Sequence, residues 1–138
     1  MSMKWADSLI RIAKHEVETL QKRVGEITSR RLASERRLEA MHAEAADEAE
    51  RAKSDPDAGW YQAGYMKGWR VMREQLNAQI AALKVEEAGA RDALSKAFEE
   101  LKKFEHVAEL AKLAEAKEMA KRESAAMDEM GLRKASGH

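Results

Sequence analysis

A single proline constrains the fold of this chain more than any other residue. Pro56 is the only proline among 138 residues, and it separates two long segments that contain no other strong helix breaker. Asp55 is suited to cap a helix whose first-turn residue is Pro56. Both segments are far longer than the ~10–14 residues of an ordinary globular helix, so each needs a partner along its whole length. The predicted organisation is a single domain over 1–130, made of a helix over 3–53, a turn over 54–59 and a helix over 60–130, followed by a flexible tail over 131–138.

Both segments carry the heptad pattern of a coiled coil. In the first segment the a and d positions are Met3, Ala6, Ile10, Ala13, Val17, Leu20, Val24, Ile27, Arg31, Ser34, Leu38, Met41, Ala45, Glu48 and Ala52. In the second segment they are Met66, Trp69, Arg73, Leu76, Ile80, Leu83, Glu87, Ala90, Leu94, Ala97, Leu101, Phe104, Ala108 and Ala111. Twelve of the fifteen and twelve of the fourteen are apolar. The next a position is the charged Glu115, so we expect this apolar seam to end after Ala111.

The two patterns fit each other when the chain folds back at the turn. Pairing residues whose numbers sum to roughly 114 places each a position opposite a d position. Large residues then face small ones, as in Ile10 with Phe104, Ala13 with Leu101, Val17 with Ala97, Leu20 with Leu94, Val24 with Ala90, Leu38 with Leu76, and Ala45 with Trp69. The sequence therefore predicts an all-α fold, an antiparallel two-helix coiled-coil hairpin whose longer C-terminal helix protrudes.

Two charged residues in the seam, Arg31 and Glu87, lie one layer apart in this register. They are predicted to form a pair between the helices that fixes the register at some cost in stability. In the alternative, each side chain reaches outward into solvent separately.

Composition and charge exclude several classes of function. Twenty-five basic residues balance twenty-five acidic ones, so the field that attracts a basic protein to nucleic acid is absent. Without cysteine there is no disulfide framework and no thiolate metal site. The N-terminus lacks the unbroken apolar run of a signal peptide, and no segment has the ~18 apolar residues that span a bilayer. We expect a cytoplasmic chain with no nucleic-acid partner and no direct membrane insertion.

No residues suggest a catalytic, cofactor or metal site. The four histidines lie far apart and none has another at i+4, so no zinc site is predicted. A narrow two-helix seam cannot enclose a substrate, and there is no nucleophile–histidine–acid set and no phosphate-binding glycine loop. We therefore expect a binding protein that is not an enzyme.

Two regions are candidate protein-binding sites. The first lies beside the turn and is formed by the aromatic residues Trp60, Tyr61 and Tyr65 together with Met72, because exposed aromatic residues are typical of binding hot spots. Alternatively, these rings cover an alanine-rich side of the first helix formed by Ala43, Ala46 and Ala49. The second is the unpaired end of the second helix, where Leu113, Ala116, Ala120, Met127 and Met130 lie roughly along one side and Arg122 offers a polar contact. Alternatively, this end is a frayed helix without a partner.

These features resemble the FliJ family of bacterial flagellar export proteins. The resemblance covers nearly the whole chain. It rests on Trp5 followed by Leu9 and Ile12, a central glycine and aromatic region, the segment Leu101-Lys102-Lys103-Phe104-Glu105, and an ending with Arg122-Glu123 and Met127-Asp128-Glu129. Methionine at position 127 replaces the family's more usual leucine, and Glu105-His106-Val107 departs from the basic residues common after the aromatic-Glu pair.

The resemblance implies a general component of the flagellar type III export apparatus. Its expected role is that of a stalk that couples a hexameric export ATPase, bound by the protruding helix, to the cytoplasmic domain of the membrane export gate, bound near the turn. It would also escort substrate chaperones, act at the cytoplasmic face of the inner membrane, and be a monomeric hairpin in isolation. Two alternatives stay open: an injectisome stalk protein of the same architecture, and a structural coiled coil that self-associates.

Overall fold

The computed structural model describes residues 4–136, and within this range it consists of two α-helices and no strand. Helix α1 is Lys4–Lys53 with 50 residues, and helix α2 is Ala58–Ser136 with 79 residues. The predicted all-α helical hairpin is confirmed. Met3, the first predicted seam residue, and residues 137–138 of the predicted tail lie outside the described residues. In residues 4–136, neither helix has a stretch both long and apolar enough to cross a bilayer.

The turn between the helices is built as the Asp55–Pro56 pair predicts. The side chain of Asp55 accepts a hydrogen bond at 2.9 Å from the backbone N–H of Asp57, two residues on, as an N-cap residue does. Pro56 lies in the turn between this capping residue and Ala58, the first residue of α2. On the other side, the hydroxyl of Ser54 donates to the carbonyl oxygen of Arg51 at 3.1 Å and closes the end of α1.

Helix α2 is longer at both ends than the sequence pattern predicts, since it begins at Ala58 and ends at Ser136. Residues 131–136, expected to be part of a flexible tail, are helical. The helix continues through Gly131 without interruption. Arg133 pairs with Glu129 one turn earlier at 3.2 Å, and Arg133 and Lys134 lie in the last turn, where cations interact favourably with the helix dipole.

Every described residue assigned to an a or d position is buried or half-buried. The chain divides into two compact units, one of which is Thr19–Leu94. Its core joins the two helices through Val24, Ile27, Leu83 and Ala90, with Leu94 packed against them. Ile27 is only 2% exposed. This unit therefore owes its stability to the apolar contact that the heptads predict.

The second unit contains residues 4–18 and 95–136 of the described chain. Its buried residues are Ala6, Ala13, Val17 and Leu101, all predicted seam positions. Ala111 is half-buried, and residues 112–135 of α2 are all exposed. The prediction that the seam ends after Ala111 is confirmed.

Candidate protein-binding surfaces

Two aromatic residues beside the turn differ sharply in their surroundings. Trp60 is 88% exposed. Tyr61 is half-buried, and its hydroxyl donates a hydrogen bond to Asp55 at 2.9 Å, so that Asp55 caps α2 with one carboxylate oxygen and holds Tyr61 with the other. This hydrogen bond raises the pKa of Tyr61 above its ordinary value. The hydroxyl of Tyr61 is therefore engaged in the turn, while the ring of Trp60 is free for a partner.

The other two residues of this candidate site, Tyr65 and Met72, line a shallow groove. Its walls are Arg37, Met41 and Glu44 of α1 and Gly64, Tyr65, Gly68, Trp69 and Met72 of α2. Met72 is 48% exposed, and Tyr65 is half-buried. Arg37 and Glu44 lie 3.8 Å from each other, so the charges on the α1 wall largely compensate. The groove thus offers an apolar and aromatic surface with little net charge.

Trp69 lines this groove and joins the two helices through a hydrogen bond. Its indole Nε1 donates a hydrogen bond to the backbone carbonyl of Met41 across the seam at 3.0 Å. His42 contacts the ring edge-on, with ring centroids 5.1 Å apart, and the guanidinium of Arg73 lies 5.3 Å from the ring centroid. The heptad pattern placed Trp69 in the seam, but no sequence signal indicated its hydrogen bond to a backbone carbonyl.

The alanine-rich side of α1 is not covered by these rings. Ala43, Ala46 and Ala49 are all exposed. The alternative interpretation, in which the aromatic residues lie over these alanines, therefore does not describe the structure.

The charged residues of the seam form a polar layer. Arg31 Nε donates to Glu87 Oε2 at 3.0 Å, and Thr28 donates to the same oxygen at 2.9 Å. Arg31 Nη1 also donates to both carboxylate oxygens of Glu35, at 3.2 and 3.1 Å. The pKa of Glu87 is lowered mainly by the hydrogen bond from Arg31 and next by the one from Thr28. The pKa of Arg31 is raised by the hydrogen bonds that it donates to Glu87 and Glu35. The two side chains do not extend separately into solvent, and no sequence signal had pointed to Thr28.

The second candidate surface is the exposed part of α2 after Ala111. Of its predicted contact residues, Leu113 is 59% exposed, Met127 73% and Met130 68%, and Ala116 and Ala120 are exposed as well. The sixth predicted residue, Arg122, lies 3.8 Å from Glu118 on the same helix. Sequence reasoning missed two further exposed apolar residues, Met119 and Leu132. Both lie to the side of the predicted stripe, and only their lack of burial in the structure reveals them.

None of these surfaces is an enclosed pocket. The grooves that the structure shows are shallow and open to solvent along their length. Among residues 4–136, no three or more histidine, aspartate or glutamate side chains lie close enough together to hold a metal ion. The chemistry that the exposed residues offer is that of protein contact, with apolar and aromatic side chains bordered by charges.

The fold and these surfaces define a coiled-coil hairpin protein with exposed apolar surfaces near the beginning and near the end of its second helix. The family model described as Flagellar FliJ protein matches residues 6–138. The chain is also 57% identical over 133 residues to the Flagellar FliJ proteins of two strains of Caulobacter vibrioides, NA1000 / CB15N and ATCC 19089 / CIP 103742 / CB 15, with 96% of each chain covered. The chain therefore belongs to the FliJ family of flagellar proteins. No solved structure matches it.

Proposed function

We propose that this chain is a stalk-like component of the flagellar type III protein export apparatus that couples the hexameric export ATPase to the membrane export gate. Membership in a flagellar family implies a role in flagellar export and favours the flagellar system over an injectisome. The observation that carries the proposal is that α2 exposes apolar surface both near its first residues and after Ala111. A coupling protein needs two such surfaces, one for each partner.

The surface beside the turn is the proposed contact for the cytoplasmic domain of the export gate. Trp60, Tyr65 and Met72 supply the apolar area, and the hydrogen bond of Trp69 to α1 keeps this lining residue of the groove in place before binding. A groove that is already ordered costs less conformational entropy when a partner binds. Tyr61 contributes its ring, while its hydroxyl stabilises the turn.

The exposed part of α2 after Ala111 is the proposed contact for the ATPase ring. Long exposed stretches of helix gain most of their stability from packing, so an apolar stripe of this length calls for a partner. Leu113, Met127 and Met130 are its large apolar side chains. Methionine adapts its shape to different surroundings, as a contact with a ring of several similar subunits requires.

Hydrolysis of ATP belongs to the ring in this proposal, and the hairpin transmits a mechanical change to the gate. The same surfaces would serve to escort substrate chaperones, and contact with the gate would hold the chain at the cytoplasmic face of the inner membrane. By itself the chain would be a monomeric hairpin.

The proposal is tested by measuring binding of the full-length chain to the export ATPase and to the gate's cytoplasmic domain separately. Met127→Lys/Met130→Lys is expected to lose the ATPase only, and Tyr65→Ala/Met72→Ala to lose the gate only. Ala125→Lys is the control for added charge, because Ala125 is also exposed but lies on another side of α2.

Two outcomes would reject the stalk function. If the wild-type chain binds neither partner and its mass rises with concentration, it is a structural coiled coil that self-associates. If one set of substitutions abolishes both contacts, the two surfaces do not serve separate partners.

A further inference from the structure

One outward-facing strip of α2 within the unit Thr19–Leu94 carries almost no charge. It consists of the heptad positions c, f and g between residues 64 and 89, and we call it the uncharged face. Its members are Gly64, Tyr65, Gly68, Val71, Met72, Gln75, Ala78, Gln79, Ala82, Val85, Glu86 and Gly89. Glu86 is the one charged residue among the twelve, and it lies 3.6 Å from Arg23 of α1.

The corresponding strip of α1 is very different. The c, f and g positions between residues 19 and 51 number fifteen, of which ten are charged: Lys22, Arg23, Glu26, Arg30, Arg36, Arg37, Glu44, Asp47, Glu50 and Arg51. Both strips lie outside the a and d positions of the seam, so exposure to water alone would favour charges on both. Solvation therefore explains the surface of α1 but not the uncharged face of α2.

Every residue of the uncharged face except the half-buried Tyr65 is exposed. Val85 is 74% exposed, and Val71 is 49% exposed. Glycine weakens the interior of a helix relative to alanine, yet a Cβ atom at Gly68 or Gly89 would have no neighbour within 4 Å. These glycines thus serve no packing within the chain, and they leave room for another backbone to approach α2 closely.

The dimensions of the face fit a single helix better than a second copy of this chain. Twenty-five residues of helix at 1.5 Å each span about 38 Å, and a helix is about 10 Å wide, so the face offers about 400 Å². A stable dimer buries about 800 Å² on each partner. A helix laid along a groove, by contrast, makes contacts at i, i+3, i+4 and i+7 over this kind of strip.

We propose that the uncharged face is the docking site for one amphipathic helix of a partner protein, whose contacting side is apolar and without charge. A charge on that side would be buried against alanine and valine with no group to compensate it, which is costly. At its end beside the turn the face includes Tyr65 and Met72, so there the inference rests on the proposed gate contact. The part from Ala78 to Gly89 extends the contact by several helical turns beyond that site.

Two neighbouring alanines provide a matched test. Ala82 lies in the centre of the face, whereas Ala81 points about 100° away from it, and both are exposed. The same substitution, Ala82→Glu or Ala81→Glu, changes helix propensity and net charge equally in the full-length chain. Titration with the gate's cytoplasmic domain is expected to show at least tenfold weaker binding for Ala82→Glu and less than a twofold change for Ala81→Glu. Wild-type affinity is expected to change less than twofold between low and moderate salt.

The outcomes separate this inference from the proposed function. If Tyr65→Ala loses the gate domain but Ala82→Glu binds as tightly as Ala81→Glu, the contact stops beside the turn and the inference is overturned, while the gate contact stands. If the wild-type chain does not bind the gate domain, the gate contact fails, and swimming of cells that depend on each variant decides the inference. Lost swimming with Ala82→Glu alone supports a partner on this face, and equal swimming overturns it. A wild-type dimer that Ala82→Glu dissociates would identify a second copy as the occupant and would also overturn the proposal.

Discussion

Replacement of Ile27 by alanine tests whether the apolar seam stabilises the unit Thr19–Leu94. Ile27 is 2% exposed and packs with Val24, Leu83 and Ala90. The substitution removes three carbon groups at about 0.8 kcal/mol each, or about 2.4 kcal/mol in total. A cavity adds to this cost in a closed core, where such substitutions cost about 2–5 kcal/mol. Because a two-helix seam is open to solvent on both sides and relaxes more easily, we expect a loss of about 2.5–3.5 kcal/mol.

The measurement is urea unfolding of the full-length chain followed by far-ultraviolet circular dichroism. With a slope of about 1–3 kcal/mol per molar urea, the expected loss lowers the midpoint by about 1–3 M. The slope itself should stay the same, because the variant keeps the same folded surface.

Ile12→Ala is the matched control, since it makes the same chemical change at a side chain that is 67% exposed. It is expected to alter the free energy of unfolding by less than about 0.5 kcal/mol. Equal losses in the two variants would refute the reasoning, because they would show that burial in the seam does not determine the cost of shortening an isoleucine side chain.

The remaining predictions concern the polar layer, a glycine and the tryptophans. Glu87→Gln should lower the melting temperature at neutral pH. Hydrogen bonds from Arg31 and Thr28 hold the pKa of Glu87 below its ordinary value. The difference from wild type should therefore disappear as the pH falls through that lowered pKa, and a pH-independent difference would contradict this prediction. Gly25→Ala should stabilise the chain by about 1 kcal/mol in urea unfolding, because nothing lies within 4 Å of the added Cβ; destabilisation would argue against it. Trp69→Phe removes the hydrogen bond to the Met41 carbonyl and should lower the free energy of unfolding by about 1–2 kcal/mol in the same urea experiment. The control Trp60→Phe, at an exposed ring, should cause no measurable loss, and equal losses would exclude the hydrogen bond as the cause.

The candidate surfaces were predictable in position but not in detail. Exposed apolar residues after Ala111 could be expected because Glu115 interrupts the seam, and the exposure of Met127 and Met130 agrees with this. Tyr61 was expected to be part of a free aromatic group, whereas its hydroxyl is bound to Asp55. The chain has several acceptors near the turn, and sequence spacing does not say which one a side chain reaches.

The sequence by itself determined the helices, the turn and the residues of the seam. These follow from local properties: the heptad period decides which side of each helix is apolar, and Asp55 with Pro56 indicates the turn before α2. The end of α2 lies beyond the predicted residue 130, where Arg133 pairs with Glu129 within the helix.

Only the tertiary structure decided which polar groups meet across the seam. Glu87 was the predicted partner of Arg31. Arg31 also contacts Glu35, and Thr28 donates to the same Glu87 oxygen. These contacts depend on the distance and rotation between the two helices. The same holds for Trp69 and the carbonyl of Met41. A hydrogen bond tolerates only a few tenths of an ångström of variation in its donor–acceptor distance and a narrow range of angles. The period of a sequence fixes only the side of the helix from which a side chain leaves.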